Sequence, residues 1–101
     1  MPKYLNSFII GTMKTLPKVL EQKGFTLKQI KREGDKAIYE QTKEGFVKKH
    51  YEVIRINRHN GYTLGEQFIA PAETYPGASQ WGVNGWTCLD LKSAEAKYKK
   101  L

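Results

Sequence analysis

The chain predicts an α+β domain: an antiparallel β-meander of four to five strands, with a short helix in its N-terminal half and a C-terminal helix packed on it. Three observations predict this. Turn signals at Gly34-Asp35, Lys43-Glu44-Gly45 and Asn60-Gly61 punctuate residues 25–70 at strand-length intervals. Leu91, Ala94, Tyr98 and Leu101 recur at helical spacing behind Asp90, a residue suited to capping a helix N-terminus. Finally, 101 residues are the size of one domain, here 1–101, and the single cysteine excludes an internal disulfide.

Taken in order, the first expected element is a short helix over Leu16–Lys23. Thr15 is its cap, Pro17 falls in its first turn and Gly24 sits where a C′ residue belongs. Leu16 and Leu20 then share one face. Strands follow over Thr26–Glu33, Lys36–Thr42, Phe46–His59 and Tyr62–Ala70, the last two joined by Asn60-Gly61 as a type I′ hairpin, with Gly65 as a bulge and Pro71 as a stop. Val53 and Ile54 are adjacent and both apolar, so both faces of the third strand are expected to be covered. Helices on one face leave the second to the N-terminal segment or to the loop that follows. Trp86–Leu89 is a fifth strand, and Asp90 starts the last helix.

That loop is the most unusual stretch. Thr74–Thr87 holds both tryptophans, three of nine glycines and no charge. One Trp buries ~150–250 Å², too much for an idle surface linker. Tyr75, Trp81 and Trp86, with Ser79, Gln80 and Asn84 as hydrogen-bonders, have the composition of a recognition patch. Trp86 starts a strand and is expected to turn toward the core. The candidate partner-binding surface is therefore Tyr75, Ser79, Gln80, Trp81 and Asn84.

Charge is unevenly spread. The net charge is +7, yet residues 60–91 hold three acids and no Lys or Arg. The basic meander offers a second candidate surface, for nucleic acid: Lys28, Lys31, Arg32, Lys48, Lys49, Arg55 and Arg58, with Tyr39 and Tyr51 among them to stack bases. Glu33, Asp35, Glu40, Glu44 and Glu52 are mixed in, as they are on an ordinary solvated face.

Catalytic and metal chemistry find no constellation. Cys88 lies in an apolar strand, where a free cysteine is an inert small hydrophobe. His50 and His59 have opposite parity along one strand, and neither lies at zinc-site spacing from Cys88. Gly82-Val83-Asn84-Gly85 lacks the Lys-Ser/Thr of a phosphate loop. No cofactor and no metal are expected. A lone cysteine suits a reducing compartment. The run Phe8-Ile9-Ile10 is too short for a signal-peptide core or a membrane span. A cytoplasmic protein without membrane attachment is expected.

The run Tyr75-Pro76-Gly77-Ala78-Ser79-Gln80-Trp81-Gly82-Val83-Asn84-Gly85-Trp86, then Thr87 and the helix bearing Leu91, Ala94 and Tyr98, resembles a pattern in small uncharacterised proteins of tailed bacteriophages and prophages. The resemblance covers residues 71–98. It implies a cytoplasmic viral accessory protein acting in the host cell, and it brings no activity or catalytic residues. The sequence thus leads to a non-enzymatic binding protein that engages a host or phage protein through the aromatic loop. A nucleic-acid-binding module using the basic meander stands second, and an enzyme third.

Overall fold

Glycines with positive φ set the strand lengths. Gly34 (φ 60) reverses the chain between Glu33 and Lys36, which pair directly, and Gly65 (φ 64) does the same between Leu64 and Gln67. In a computed structural model describing residues 13–101, the elements are β1 (Val19–Gln22), β2 (Phe25–Glu33), β3 (Lys36–Thr42), β4 (His50–Arg55), β5 (Asn57–His59), β6 (Tyr62–Leu64), β7 (Gln67–Ile69), β8 (Ala72–Thr74), a 3-10 turn (Ala78–Gln80), β9 (Gly85–Cys88) and helix α1 (Leu91–Lys99). Among the described residues, five strands form one antiparallel sheet in the order β1-β2-β3-β4-β9, and β5–β8 and β6–β7 form two small ribbons. The architecture is α+β, mainly antiparallel sheet with a C-terminal helix.

The helix expected over Leu16–Lys23 is not there. Leu16 lies outside any helix or strand, and Val19–Gln22 is the edge strand β1, paired with β2 through Leu20↔Leu27 and Gln22↔Phe25. The reason is arithmetic: a spacing of four puts Leu16 and Leu20 on one face of a helix and also on one face of a strand. Lys23 (φ 53) and Gly24 (φ 84) both adopt positive φ, and this two-residue reversal turns the segment back onto β2. Gly24 therefore ends a strand, where the sequence suggested the end of a helix.

The strand expected over Phe46–His59 is shorter and broken. Phe46 and Val47 are exposed outside it, β4 begins at His50, and pairing with the sheet ends at Arg55. Ile56 is buried and donates its N–H to the Asp35 carbonyl (2.6 Å), after which β5 diverges to pair with β8. Asn60-Gly61 is no type I′ turn, since neither residue has positive φ. Tyr62–Ala70, expected as one strand, folds on itself as the β6–β7 hairpin, with Gly65 in its turn instead of a bulge. Gly61 is needed for another reason: a Cβ there would come within 2.4 Å of the Phe68 ring. The place beside β4 is taken by β9, through Val53↔Trp86 and Ile54↔Gly85.

Both faces of the sheet are covered, as the adjacent Val53 and Ile54 required. Ile38 and Val53 pack with Ala94 and Tyr98 of α1, flanked by Tyr51, Cys88 and Leu101. Asp90 caps α1 by accepting the Ser93 N–H (2.7 Å). On the opposite face, Leu27, Ala37, Tyr39 and Ile54 pack with Leu16 and Ile56, and Leu20, Tyr75 and Trp81 lie over them. The second cover is thus the N-terminal segment together with the aromatic loop.

Candidate functional site

Strand register decides which side chains lie beneath the aromatic loop. Leu27 pairs with Gln41 and Tyr39 with Glu52, so all four share the face opposite α1. The chain leaving β8 crosses this face. Tyr75 sets its ring edge-on to Tyr39 (5.2 Å between centroids) and stacks at 6.4 Å and 25° with Trp81. Its hydroxyl donates to Glu52 Oε1 (2.5 Å), while Gln41 Nε2 donates to Glu52 Oε2 (3.2 Å).

Trp81 is fixed from three sides. Its N–H donates to the Ala78 carbonyl (3.2 Å) and its indole Nε1 to Thr87 Oγ1 (3.0 Å). Its ring lies so close over Gly85 that a Cβ there would approach to 2.4 Å. Gln80 Oε1 accepts from both Asn57 Nδ2 (2.7 Å) and Asn84 Nδ2 (2.9 Å), tying the loop to β5. Between this loop and the β1–β2 end of the sheet lies an open cleft of about 780 Å³, lined by Gln22, Phe25, Leu27, Glu52, Tyr75, Trp81 and their neighbours. Its walls are mainly apolar and aromatic, and of the Asp, Glu, Lys and Arg residues in its lining Lys23 is exposed and Glu52 buried.

Burial raises the Glu52 carboxyl above the usual carboxylate range, and the Tyr75 hydrogen bond offsets this only in part. Tyr75 is itself pushed upward, first by burial and then by the adjoining carboxylate, so the phenol stays a donor. A second buried acid lies on the same side of the sheet in a different setting. Glu73 takes a bidentate pair from Arg32 (2.8 Å twice), a bond from Arg58 (2.9 Å) and the Leu16 N–H (2.9 Å). The Arg32 guanidinium leads in holding its carboxyl at about 2.

The sequence-derived candidates separate into distinct roles. Tyr75 and Trp81 form the cleft wall. Ser79 is exposed on the 3-10 turn, and Gln80 and Asn84 brace the loop from within. Trp86 lies on the α1 face, half-buried, with the Lys97 ammonium 4.2 Å and the Arg55 guanidinium 5.8 Å from its ring. Glu52, Gln41, Phe25, Leu27 and Gln22 were missed. Glu52 carried a signal: it is the acid enclosed by Tyr51, Val53 and Ile54.

The basic candidates do not make one track. Arg32 and Arg58 are engaged with Glu73, Arg58 also with Asp35 (2.6 Å), and Lys49 lies 3.6 Å from Glu40. Tyr39 is core: its hydroxyl donates to the Pro17 carbonyl (2.7 Å) and accepts from Gln29 Nε2 (3.0 Å), so it cannot stack a base. Arg55 donates to the Val83 carbonyl (3.3 Å). Lys28 and Lys31 lie by register on the α1 face with the half-buried Tyr51, and the Lys31 ammonium sits 4.8 Å from the Tyr98 ring. Lys48 is exposed in the β3–β4 connection.

Burial also raises the Cys88 thiol, which disfavours its nucleophilic form. Among the described residues no three His, Cys, Asp or Glu side chains gather as metal ligands, and no helix is long and apolar enough to cross a membrane. No protein-family model, curated protein or solved structure matches this chain.

Proposed function

We propose that this is a non-enzymatic binding protein that engages a protein partner at the cleft beneath the aromatic loop. The single observation behind this reading is that cleft: about 780 Å³, with Phe25, Tyr75 and Trp81 in its lining. Concave, mostly apolar surfaces with a few convergent polar groups are where ligands and inserted side chains are held. Aromatic anchors in such pockets carry most of the energy of many interfaces. The resemblance of residues 71–98 to small phage proteins adds that the protein is a phage accessory factor and its partner a host or phage protein in the cytoplasm.

Placement of the cations supports this reading over nucleic-acid binding. Two of the seven basic candidates are committed to Glu73, and one of the two tyrosines is sealed in the core. The test is affinity capture from host lysate, with and without nuclease, comparing the natural protein with Ala78→Arg. Ala78 is exposed and lines the cleft, so a long charged side chain there obstructs the opening without disturbing the core. A protein that survives nuclease and is lost with Ala78→Arg supports the reading. Equal capture by both proteins removes the cleft from it, and recovery of nucleic acid alone supports the basic surface instead.

A further inference from the structure

The chemistry of the cleft floor narrows what its occupant carries. Glu52 is 8% exposed, and among the described residues both groups bonded to its carboxylate are neutral, the Tyr75 hydroxyl and the Gln41 amide. A carboxylate accepts at about four lone-pair positions, so two hydrogen bonds leave acceptor capacity unused. An ionised carboxylate in an apolar setting is costly unless a cation neutralises it. At Glu73, with the same exposure, the chain supplies two arginines. At Glu52 the described residues supply none, and the carboxylate instead borders an open cleft.

The walls of that cleft suit the same kind of group. Faces of Phe, Tyr and Trp attract ammonium and guanidinium ions, and Phe25, Tyr75 and Trp81 all line the cleft. Beside it the chain makes such a contact itself, with the Lys43 ammonium 5.0 Å from the Phe25 ring centroid. The exposed Ala78 and the half-buried Phe25 and Trp81 in the lining provide apolar surface for a hydrocarbon stem. Lys23, at the β1–β2 turn, is exposed to solvent at the mouth.

We propose that the cleft receives a cationic head on an apolar stem, a lysine or arginine side chain of the protein partner, with Glu52 as counter-ion. The proposal rests on the cleft being the partner-binding site. The inserted side chain would satisfy the free lone pairs of Glu52 and lay its methylenes along Phe25, Ala78 and Trp81. A cation inserted there replaces the protein's missing charge partner.

The experiment uses n-butylammonium and n-butylguanidinium as probes, with n-butanol as the neutral analogue of matching length. Trp86→Phe leaves Trp81 as the single indole, since the chain has two tryptophans, and its emission reports on the cleft. Saturable shifts with roughly millimolar Kd are expected for the cations, in keeping with ligands of so few atoms. Butanol should bind about tenfold more weakly, the scale of losing one charge-assisted hydrogen bond. Glu52→Gln in the same background should bring cation and alcohol to within about twofold of each other.

Butanol binding as tightly as butylammonium to the protein with Glu52 intact overturns the proposal, whether or not the Gln variant folds. A preference for cations that survives Glu52→Gln overturns it too, as does the absence of saturable binding by either cation. The partner-binding reading fails separately. If the cations bind as expected while Ala78→Arg leaves partner capture unchanged, the cation preference stands and the partner docks elsewhere.

Discussion

Glu52 and Glu73 are equally buried, at 8% exposure each, and lie on the same side of the sheet, yet their surroundings push them in opposite directions. Glu73 is enclosed by Arg32, Arg58 and the Leu16 N–H and titrates near 2. Glu52 meets neutral donors and rises. Equal burial therefore says nothing about whether a carboxylate serves the fold. Glu73 links β8 to β2, β5 and the N-terminal segment, so its charge is part of the architecture. Among the described residues no cation is bonded to the Glu52 carboxyl, and an open cleft adjoins it.

The largest effect should come from breaking the satisfied acid. Glu73→Gln leaves Arg32 and Arg58 without their shared carboxylate and should cost about 3 kcal/mol, as removing one partner of a largely buried pair does. Urea unfolding at neutral pH measures it, and a loss below about 1 kcal/mol would show that the arginines find solvent instead. The same group sets a pH slope. Its folded pKa lies below the ordinary 4.5, so its contribution is complete above about 4.5 and drains as pH falls toward about 2. Glu73→Gln should flatten that acid limb.

Next is a change that admits water to Glu52. Gly85→Ala places a Cβ 2.4 Å from the Trp81 ring, so ring or strand has to shift, and displacing the ring costs its Thr87 bond and its stacking on Tyr75. About 2 kcal/mol of stability should go, Trp81 emission, read in the Trp86→Phe background, should shift to the red, and Glu52 should fall back toward the ordinary carboxylate value as water reaches it. An unshifted emission spectrum would mean that the strand moves and the ring stays.

Glu52→Gln should act with the opposite sign from Glu73→Gln. A raised folded pKa means that the native state holds the proton longer than the unfolded chain does. Stability therefore declines as pH rises from about 4.5 through that raised value. The amide keeps a hydrogen-bonding shape without charge, so the variant should be unchanged at low pH and more stable by up to about 1 kcal/mol near neutrality. Parallel unfolding curves at pH 4 and pH 7.5 decide this, and a loss at neutral pH would show that the ionised carboxylate is already well satisfied.

The smallest effect belongs to the turn at the cleft mouth. Lys23 adopts φ 53, a conformation that Asn tolerates better, so Lys23→Asn should gain about 0.5 kcal/mol. It also removes a cation from the mouth. An unmoved Glu52 titration, followed by NMR of its side-chain carboxyl, would assign the raised pKa to burial; a further rise would show that Lys23 had been lowering it.

How far the chain could be read depended on how local the controlling contact was. Gly34-Asp35 reverses the chain where the dipeptide said it would, and Asp90 caps α1 by a bond to Ser93, three residues away. Leu16 and Leu20 were ambiguous because their spacing satisfies both a helix and a strand, and only Leu27 across the hairpin separates the two. Asn60-Gly61 failed because Ile56 bonds to Asp35 and sends β5 to β8 instead of along β4. Within the site, Tyr75 and Trp81 were visible from their aromatic, uncharged surroundings. Gln80 and Asn84 looked the same but turn toward each other, a choice made by Asn57 more than twenty residues away.

By itself the sequence determined the α+β class, the coverage of both sheet faces through adjacent Val53 and Ile54, the closing helix and the aromatic content of one loop. These follow from turn chemistry, capping and periodicity, which act within a few residues. Only the tertiary structure decided which acid is neutralised. The partners of Glu73 lie 57, 41 and 15 residues away at Leu16, Arg32 and Arg58, while Glu52 meets Gln41 and Tyr75, 11 and 23 residues away. The apolar neighbours of Glu52 mark it as an enclosed acid, but no local pattern says which of the two glutamates is neutralised, because the cost of a buried charge is set by whatever the folded chain brings beside it.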